Sequence, residues 1–393
     1  MEPALHVAIV VPPLVGHVIP SMGIARELTT LGHRVTYVAH ERFRGLAESV
    51  PAALAPTTVL YDGLTSGFIA NPVLGPIVNV IRAGNKEIDA DLEGLVKYFT
   101  ADPVDVICVG YASQIGYALS DRLAVPRATL YSTYAWNKRL QEDTYGVLKY
   151  QDELGAALQE RNKLAHKFGF STKHTVPFGP PSEVNLVPIP RFFQYYPECF
   201  DESYVFMGPD ISTHPGTALW EPQYPELPLL YISLGTTYND NIEFFRACVE
   251  QFGDGEFEVA MSVGERIQIE DLGELPDTVH VQRSFPQISV LRHASVFVSH
   301  AGMGSTMEAL ITEVPIVAVP QQGDQLLNAG KIHALGIGVN CASSGDMDLK
   351  TIGPAVRGVI GEGCFREQLK RRHAQIDSQH GLASGVAAIA SLC

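Results

Sequence analysis

The sequence lacks long uninterrupted runs of apolar residues, and it lacks an excess of positive charge. No stretch of about 18 apolar residues occurs in it, so it contains no candidate for a membrane-spanning helix. The formal net charge of −15 disfavours binding to nucleic acid and to anionic membranes, because both reward clustered Lys and Arg. The N-terminus has no basic segment, and Pro12 and Pro13 interrupt its apolar run. No signal peptide is therefore predicted.

Cysteine is also scarce, and the cysteines lie far apart. They form no C-x-x-C pair, which disfavours a zinc site or a disulfide framework and favours isolated thiols in a reducing cytoplasm. The sequence lacks a complete G-x-G-x-x-G, a Walker-type loop and a G-x-S-x-G elbow, which argues against a dehydrogenase, an NTPase and a serine hydrolase. The six cysteines are Cys108, Cys199, Cys248, Cys341, Cys364 and Cys393.

Alternating strand and helix patterns occupy the first half of the chain. A β-branched run over His6–Val11 precedes a helical pattern over Met22–Leu31, and Arg34–Ala39 is again typical of a strand. Strand, helix and strand in so short a span form a βαβ unit, which implies a parallel sheet. The same order recurs over Val104–Val109, Ser113–Leu123 and Arg127–Tyr131.

A proline-rich stretch separates this half from a second series of strands. We predict an N-terminal domain over 1–208, a linker over 209–228 and a C-terminal domain over 229–378. The fold class is α/β, with two Rossmann-like, doubly wound domains facing across a cleft. A last helix within 379–393 could pack on either domain. The strands predicted for the second domain are Leu229–Ser233, Glu258–Ser262, Thr278–Val281, Ser295–Ser299, Pro315–Val319 and Gly336–Asn340.

The segment after the strand Ser295–Ser299 is the most informative part of the sequence. A glycine-rich turn with Gly302 and Gly304 leads into a helix that has Ser305 and Thr306 near its start. Free N–H groups at a helix N-terminus, beside glycines that allow close approach, are suited to bind phosphate oxygens. His300 could add a donor there. The alternative is that Ser305 or Thr306 only caps the helix and His300 is a core histidine.

Polar residues also follow the next predicted strand. Asp324, Gln325 and Asn328 stand at the start of the following helix, and a carboxylate beside two amides suits the hydroxyls of a sugar. Capping of the helix by Asp324 is the alternative reading.

These motifs, with Phe285-Pro286-Gln287 before them, resemble the nucleotide-diphospho-sugar signature of family-one glycosyltransferases, especially the bacterial macrolide-type branch. Similar elements occur at Tyr231–Thr236, at Gly208-Pro209 and at Gly16-His17, so the resemblance covers most of the chain. It implies the two-domain GT-B fold, a UDP- or dTDP-sugar as donor, a lipophilic small-molecule acceptor and an inverting reaction that needs neither cofactor nor metal.

The resemblance also implies roles for individual residues. Glu308 would bond the ribose hydroxyls, Asp324 with Gln325 would hold the sugar, and Thr236 would reach a phosphate. Phe285 and Gln287 would flank the base. The residues implied to hold the diphosphate are His300, Gly302, Gly304, Ser305 and Thr306.

Two positions depart from the family pattern. Ser284 replaces a tryptophan that stacks on the base, and the adjacent Phe285 could partly replace that ring. His17, expected in the loop after the first strand, stands where the family has its general base. The family's supporting acid corresponds to Gly110 here. Either another acid such as Asp62 reaches His17, or the histidine works unsupported and slowly, or catalysis has been lost.

Other candidate residues lie outside the signature. Asp89-Ala-Asp91 and Asp346-Met-Asp348 have the spacing of a metal-binding Asp-x-Asp, but they lie at or near predicted helices, where capping or solvated acids are favoured. A non-catalytic, glycosyltransferase-like helper and a nucleotide-sugar epimerase of the same fold are the alternative functions. The aromatic residues that could line an acceptor pocket in the first domain, or could equally be core, are Phe68, Tyr131, Tyr134, Trp136 and Tyr145.

Overall fold

The computed structural model describes residues 4–61, 74–145, 151–173, 181–210, 219–236, 239–321, 323–342, 349–376 and 381–393. The chain divides into two compact units. Unit 1 comprises residues 1–213 together with 377–393, and unit 2 comprises residues 214–376. The division falls within the stretch 209–228 that the sequence identifies as a linker. The C-terminal residues belong to unit 1.

Unit 1 is a parallel sheet with helices on both faces. Its seven strands run in the order β3-β2-β1-β4-β5-β6-β7. In chain order its elements are β1 (His6–Val10), α1 (Val15–Thr30), β2 (Arg34–His40), α2 (Arg44–Ser49), β3 (Ala53–Thr57), α3 (Leu74–Ala101), β4 (Val106–Gly110), α4 (Gln114–Leu123), β5 (Arg127–Leu130), α5 (Lys138–Tyr145), α6 (Gln151–Phe168), β6 (Val184–Val187) and β7 (Tyr204–Phe206).

The central strands of unit 1 are covered on both faces. Every residue of β1 and β4 is buried, which explains why these strands are nearly continuous apolar runs rather than alternating patterns. One apolar core lies between the sheet and α1, and a second core lies between the opposite face and α3, α4 and α6. The last helix of the chain packs against α1. Gly385 lies close to Ile24 of α1, and Gly381 lies close to the backbone of Met207.

Helix α1 begins earlier than the sequence pattern predicts. The apolar periodicity indicates a start near Met22, whereas the helix begins at Val15 and contains Pro20. Gly16 and Pro20 both weaken a helical sequence pattern, so the first turns of α1 are not recognisable in the sequence. The structure nevertheless accommodates both residues in the helix. His17 therefore lies in the first turn of α1, and its prediction as a loop residue is wrong.

Unit 2 repeats the architecture with six parallel strands. They run in the order β10-β9-β8-β11-β12-β13. Its elements are β8 (Leu229–Ser233), α7 (Ile242–Phe252), β9 (Glu258–Ser262), β10 (Val279–Gln282), α8 (Gln287–Leu291), β11 (Ala294–Ser299), α9 (Met303–Ile311), β12 (Ile316–Ala318), α10 (Asp324–Ala334), β13 (Gly338–Asn340), α11 (Ile352–Gly361) and α12 (Cys364–His373). Helix α13 (Gly381–Ala390) then belongs to unit 1.

In each sheet the strand order reverses direction once. At that reversal the loops that follow the two neighbouring strands lie next to each other. In unit 1 the direction reverses between the neighbours β1 and β4, and in unit 2 between the neighbours β8 and β11. Ligands of open α/β sheets bind beyond the carboxyl ends of the strands at such points. The doubly wound α/β prediction is confirmed for both units. Across the described ranges we find no helix with the length and apolarity needed to cross a bilayer.

Candidate functional site

The turn between β11 and α9 leads into a helix whose N-cap residue has no side chain. This residue is Gly302, which therefore supplies no side-chain cap bond to the first N–H groups of α9. Thr306 donates its hydroxyl to the carbonyl oxygen of Gly302, at 2.9 Å, and does not cap the helix. Gly304 is exposed and leaves open space around its α-carbon. These amides form an anion-binding geometry.

The His300 ring packs against two glycines beside this helix start. A β-carbon at Gly235 would lie 2.5 Å from Cε1 of His300, and one at Gly302 would also overlap the ring. Gly235 additionally has φ of +76°, so two separate reasons favour glycine there. Nδ1 of His300 is buried, and the backbone of Ser233 is a hydrogen-bond partner of the ring. Burial lowers the pKa of His300 to about 4, so the ring is neutral at pH 7.

Ala301, next to His300, has a left-handed backbone conformation. Its φ is +59°, which costs a residue with a β-carbon roughly 1–2 kcal/mol. Two hydrogen bonds hold it: its N–H donates to Ser299 Oγ at 3.1 Å, and Nδ2 of Asn328 donates to its carbonyl oxygen at 2.8 Å. Asn328 is fully buried. In the structure Asn328 therefore contacts the loop at Ala301, whereas the sequence predicts that it contacts the sugar donor.

A second polar group lies between α8 and α9. Nε2 of Gln287 donates to Ser305 Oγ at 3.1 Å and to the carboxylate of Glu308, and the Tyr231 hydroxyl donates to Oε1 of Gln287 at 3.1 Å. Gln287 is thereby held in one orientation, and the structure brings together three residues that the sequence assigns to the donor. Glu308 is almost completely buried.

The position of the missing tryptophan is open to solvent. Ser284 is exposed, whereas Phe285 is 5% exposed and packs edge-on against Trp220, with ring centroids 6.1 Å apart. Burial of the Phe285 side chain disfavours its use as a replacement for the absent stacking ring. Trp220 has no recognisable sequence signal, because it lies in the predicted linker 209–228 and has no periodic pattern around it.

The remaining donor candidates lie on neighbouring loops of unit 2. Asp324 is the first residue of α10 and Gln325 the second; Oε1 of Gln325 accepts a hydrogen bond from the Gln321 N–H at 2.8 Å. Thr236 is exposed in the turn after β8. That turn and the turn after β11 lie side by side, because β8 and β11 are neighbouring strands.

In unit 1, His17 is held by a hydroxyl and an aromatic ring. Its Nδ1 lies 3.1 Å from Oγ of Ser132, and its ring stacks on Tyr111 with centroids 5.8 Å apart. Burial lowers the pKa of His17 to about 4. The ring is therefore neutral at pH 7 and can accept a proton.

The end of β4, where the related acid would stand, has no side chain. A β-carbon at Gly110 would lie 3.1 Å from Val11 Cγ1 and 3.2 Å from Pro12 Cδ, so the space is tight even for a methyl group. Asp62, the alternative partner considered for His17, lies outside the described residues.

The aromatic candidates of unit 1 fall into two groups. Tyr131 stacks on Tyr111, with centroids 5.5 Å apart, and so continues the aromatic row that begins at His17. Tyr134 is fully buried between Phe193 and Tyr195. Of the two alternatives for Tyr134, a pocket wall or a core residue, this burial favours the core. Trp136 is half-buried, and its ring nitrogen is inside the protein. Phe68 lies outside the described residues, and Tyr145 falls in α5.

The described Asp-x-Asp pair already has protein partners. Asp89 forms an ion pair with Lys167 at 2.6 Å, and Asp91 accepts hydrogen bonds from the backbone N–H and the hydroxyl of Thr58. Asp346 and Asp348 lie outside the described residues. Within the described ranges, no cluster of three or more His, Cys, Asp or Glu side chains could hold a metal ion.

Several comparisons of this chain with known proteins point to the same family. Residues 246–382 match the family described as "Erythromycin biosynthesis protein CIII-like, C-terminal domain". The NDP-glycosyltransferase YjiC of Bacillus subtilis is 29% identical over 390 residues, 98% of this chain and 96% of that protein. The oleandomycin glycosyltransferase of Streptomyces antibioticus is 31% identical over 329 residues, 82% of this chain and 76% of that protein.

A solved structure extends this similarity to three dimensions. The calicheamicin glycosyltransferase CalG4 superposes with a TM-score of 0.80 and 26% identity, covering 100% of this chain and 98% of that one.

Proposed function

This chain belongs to the macrolide-type branch of the family-one, GT-B glycosyltransferases, and we propose that it transfers a sugar from UDP or dTDP with inversion at the anomeric carbon. It is a sugar-nucleotide-dependent glycosyltransferase acting on natural products. The proposed acceptor group is a hydroxyl of a lipophilic small molecule, with His17 as the general base. The relatives act on several different natural products, so the scaffold and the sugar are chosen by contacts peculiar to this chain.

The single observation that carries the proposal is the start of α9, where Gly302 has no side chain to cap the helix, Gly304 leaves open space and the His300 ring packs against Gly302. N–H groups at a helix start without a side-chain cap are available to bind an anion. A diphosphate supplies acceptor oxygens for the amides of Met303 to Ser305 and for a ring N–H of His300. These fixed donors stabilise the negative charge that develops as the nucleoside diphosphate leaves.

The proposed reaction is a single displacement. Nε2 of His17 takes the proton of the acceptor hydroxyl while the acceptor oxygen forms a bond to the anomeric carbon. The bond from that carbon to the diphosphate oxygen breaks at the same time, and its electron pair leaves with the diphosphate. Attack opposite the leaving group inverts the configuration.

No metal is included in the proposal. The α9 amides and His300 balance the charge of the leaving group without a cation. The described Asp-x-Asp pair is engaged with Lys167 and Thr58, so it is not a free cation ligand. We expect the rate to be unchanged after treatment with EDTA.

The test is transfer from UDP-glucose and dTDP-glucose to a panel of phenolic and macrolide acceptors. We expect a glycoside of inverted configuration by NMR. His17→Ala should lower the rate of transfer by about 10²- to 10⁴-fold, with donor binding unchanged by calorimetry. Transfer by His17→Ala at the wild-type rate contradicts the base assignment. A donor that binds without any transfer indicates a helper, and a donor epimerised without acceptor indicates an epimerase.

A further inference from the structure

The contact between His17 and Ser132 joins two loops that the sheet topology brings together. His17 follows β1 and Ser132 follows β5, and both strands are neighbours of β4. The two residues are 115 positions apart in the chain, yet Ser132 Oγ lies 3.1 Å from Nδ1 of His17. Both stand at the carboxyl edge of the sheet, where ligands of such sheets bind.

The contact between Ser132 and His17 can replace the supporting acid that is absent at Gly110. A catalytic histidine needs a group on one ring nitrogen that fixes its tautomer and orientation. Gly110 supplies none, and Val11 and Pro12 crowd the space where a side chain would begin. Ser132 reaches the ring from the next strand over. Tyr111 covers one face of the same ring, so both the hydrogen bond and the stacking restrict rotation of the imidazole.

Among the described residues, which leave out Asp62, no carboxylate is recorded in contact with the His17 ring. Burial is the cause that lowers the pKa of His17 to about 4, and a neighbouring carboxylate would act in the opposite direction. Two described groups that contact the ring are the Ser132 hydroxyl and the Tyr111 ring. Both are neutral at pH 7. The first turn of α1 adds the positive end of a helix dipole, which also disfavours an imidazolium.

We propose that Ser132 is the positioning residue of His17, accepting a hydrogen bond from Nδ1–H so that Nε2 stays bare, and that this uncharged pair restricts transfer to acidic hydroxyls such as phenols. The proposal rests on the role of His17 as general base. In the reaction Nε2 gains the proton of the acceptor and His17 becomes an imidazolium. The serine hydroxyl orients that cation without neutralising it.

The acceptor class follows from the strength of this base. A phenol is about as acidic as tyrosine, with a pKa of about 10, whereas an aliphatic alcohol is far less acidic and resembles water. Transfer of a proton to a weak base therefore costs much less free energy from a phenol than from an aliphatic alcohol. A carboxylate partner would strengthen the base and extend the range to alcohols. The serine therefore selects acceptors by acidity as well as by shape.

The first test reads the tautomer directly. Histidine labelled with ¹⁵N is incorporated, and the His17→Gln variant identifies the signals of His17 in the NMR spectrum. We expect wild type and Ser132→Thr to show Nδ1–H with a bare Nε2, and Ser132→Ala to shift towards Nε2–H. The matched control is Ser120→Ala, which removes a buried serine hydroxyl bonded to the Val125 carbonyl and should leave the His17 signals unchanged. Nε2–H in wild type, or no change in Ser132→Ala, overturns the positioning role.

The second test uses substituted phenols of graded acidity and benzyl alcohol, with UDP-glucose and dTDP-glucose as donors. We expect kcat/KM to rise with phenol acidity and to be at least about 100-fold lower for benzyl alcohol. Ser132→Ala should lower kcat about 10-fold with the KM for donor unchanged, and Ser132→Asp should narrow the gap between phenol and alcohol. Benzyl alcohol used as readily as phenols, or transfer to none of these probes, overturns the acceptor class.

The two tests separate this proposal from the function on which it rests. If His17→Ala transfers sugar at the wild-type rate, the base assignment fails whatever the NMR spectrum shows. If His17→Ala is inactive but Ser132→Ala keeps both the tautomer and the rate, only the role of Ser132 fails.

Discussion

Nδ2 of Asn328 donates a hydrogen bond to the carbonyl oxygen of Ala301, at 2.8 Å, and ties helix α10 to the turn that precedes α9. The tie matters because Ala301 has a left-handed backbone conformation, which persists only when its surroundings determine it. His300 and Gly302 flank Ala301 in sequence. The geometry of the proposed diphosphate site therefore depends on a buried amide that need not touch the ligand.

Asn328→Ala should weaken both stability and donor binding. Loss of the buried bond leaves the Ala301 carbonyl without this partner, and we expect unfolding to be easier by about 1–3 kcal/mol. We also expect weaker binding of UDP and dTDP, because the turn loses its fixed geometry. Calorimetry measures both quantities. Leu326→Ala removes an exposed side chain from the same helix and serves as the control. Unchanged affinity in Asn328→Ala would show that the turn is held by its other contacts.

Ser284→Trp should tighten nucleotide binding. Ser284 is exposed, so a ring fits there without disturbing the core, and stacking of an aromatic side chain on a base contributes roughly 1–3 kcal/mol. We expect lower dissociation constants for UDP and dTDP by isothermal titration. Inorganic pyrophosphate has no base, and its affinity should not change. A gain for pyrophosphate equal to that for UDP argues that position 284 does not lie beside the base.

Glu308→Gln should weaken the binding of UDP and leave the binding of pyrophosphate unchanged. The proposed partner of this carboxylate is the ribose, and a hydrogen bond to a charged group contributes about 1.5–3 kcal/mol. We expect UDP to bind about 10- to 100-fold more weakly, with pyrophosphate binding unchanged. Gln287 contacts Glu308 and can still donate to the oxygen of a glutamine, which limits rearrangement. Equal losses for the two ligands would indicate a collapsed loop rather than a missing ribose contact.

His300 should make unit 2 less stable in acid. Its pKa lies at about 4 in the folded chain and at 6.5 in its ordinary state, so the unfolded chain binds more protons between those values. Stability attributable to His300 is therefore present above pH 6.5 and is lost as pH falls towards 4. We expect the drop in Tm between pH 7 and pH 5 to be smaller in His300→Gln than in wild type. An identical drop in both proteins contradicts the lowered pKa.

The fold was largely predictable because its signals are local. Buried parallel strands such as β1 and β4 are continuous apolar runs, and glycine and proline mark the turns between them. The α/β class and the glycosyltransferase family are confirmed. The start of helix α1 was mispredicted where Pro20 interrupts the pattern, and the sequence left open whether Tyr134 lies in the core or in a pocket. A single aromatic residue has the same sequence signal in a core as in a pocket.

The sequence by itself determined the two sheets, the glycine-rich turn before α9 and the absence of an acid at position 110, since each depends on residues close together in the chain. Only the tertiary structure decided what meets His17. The order β1-β4-β5 brings a serine within hydrogen-bond distance across 115 residues. It also decided that the His300 ring packs against Gly235 and Gly302 and that Asn328 holds Ala301. Hydrogen bonds require atoms within about 3 Å, and a distance between remote residues is set by strand order and packing.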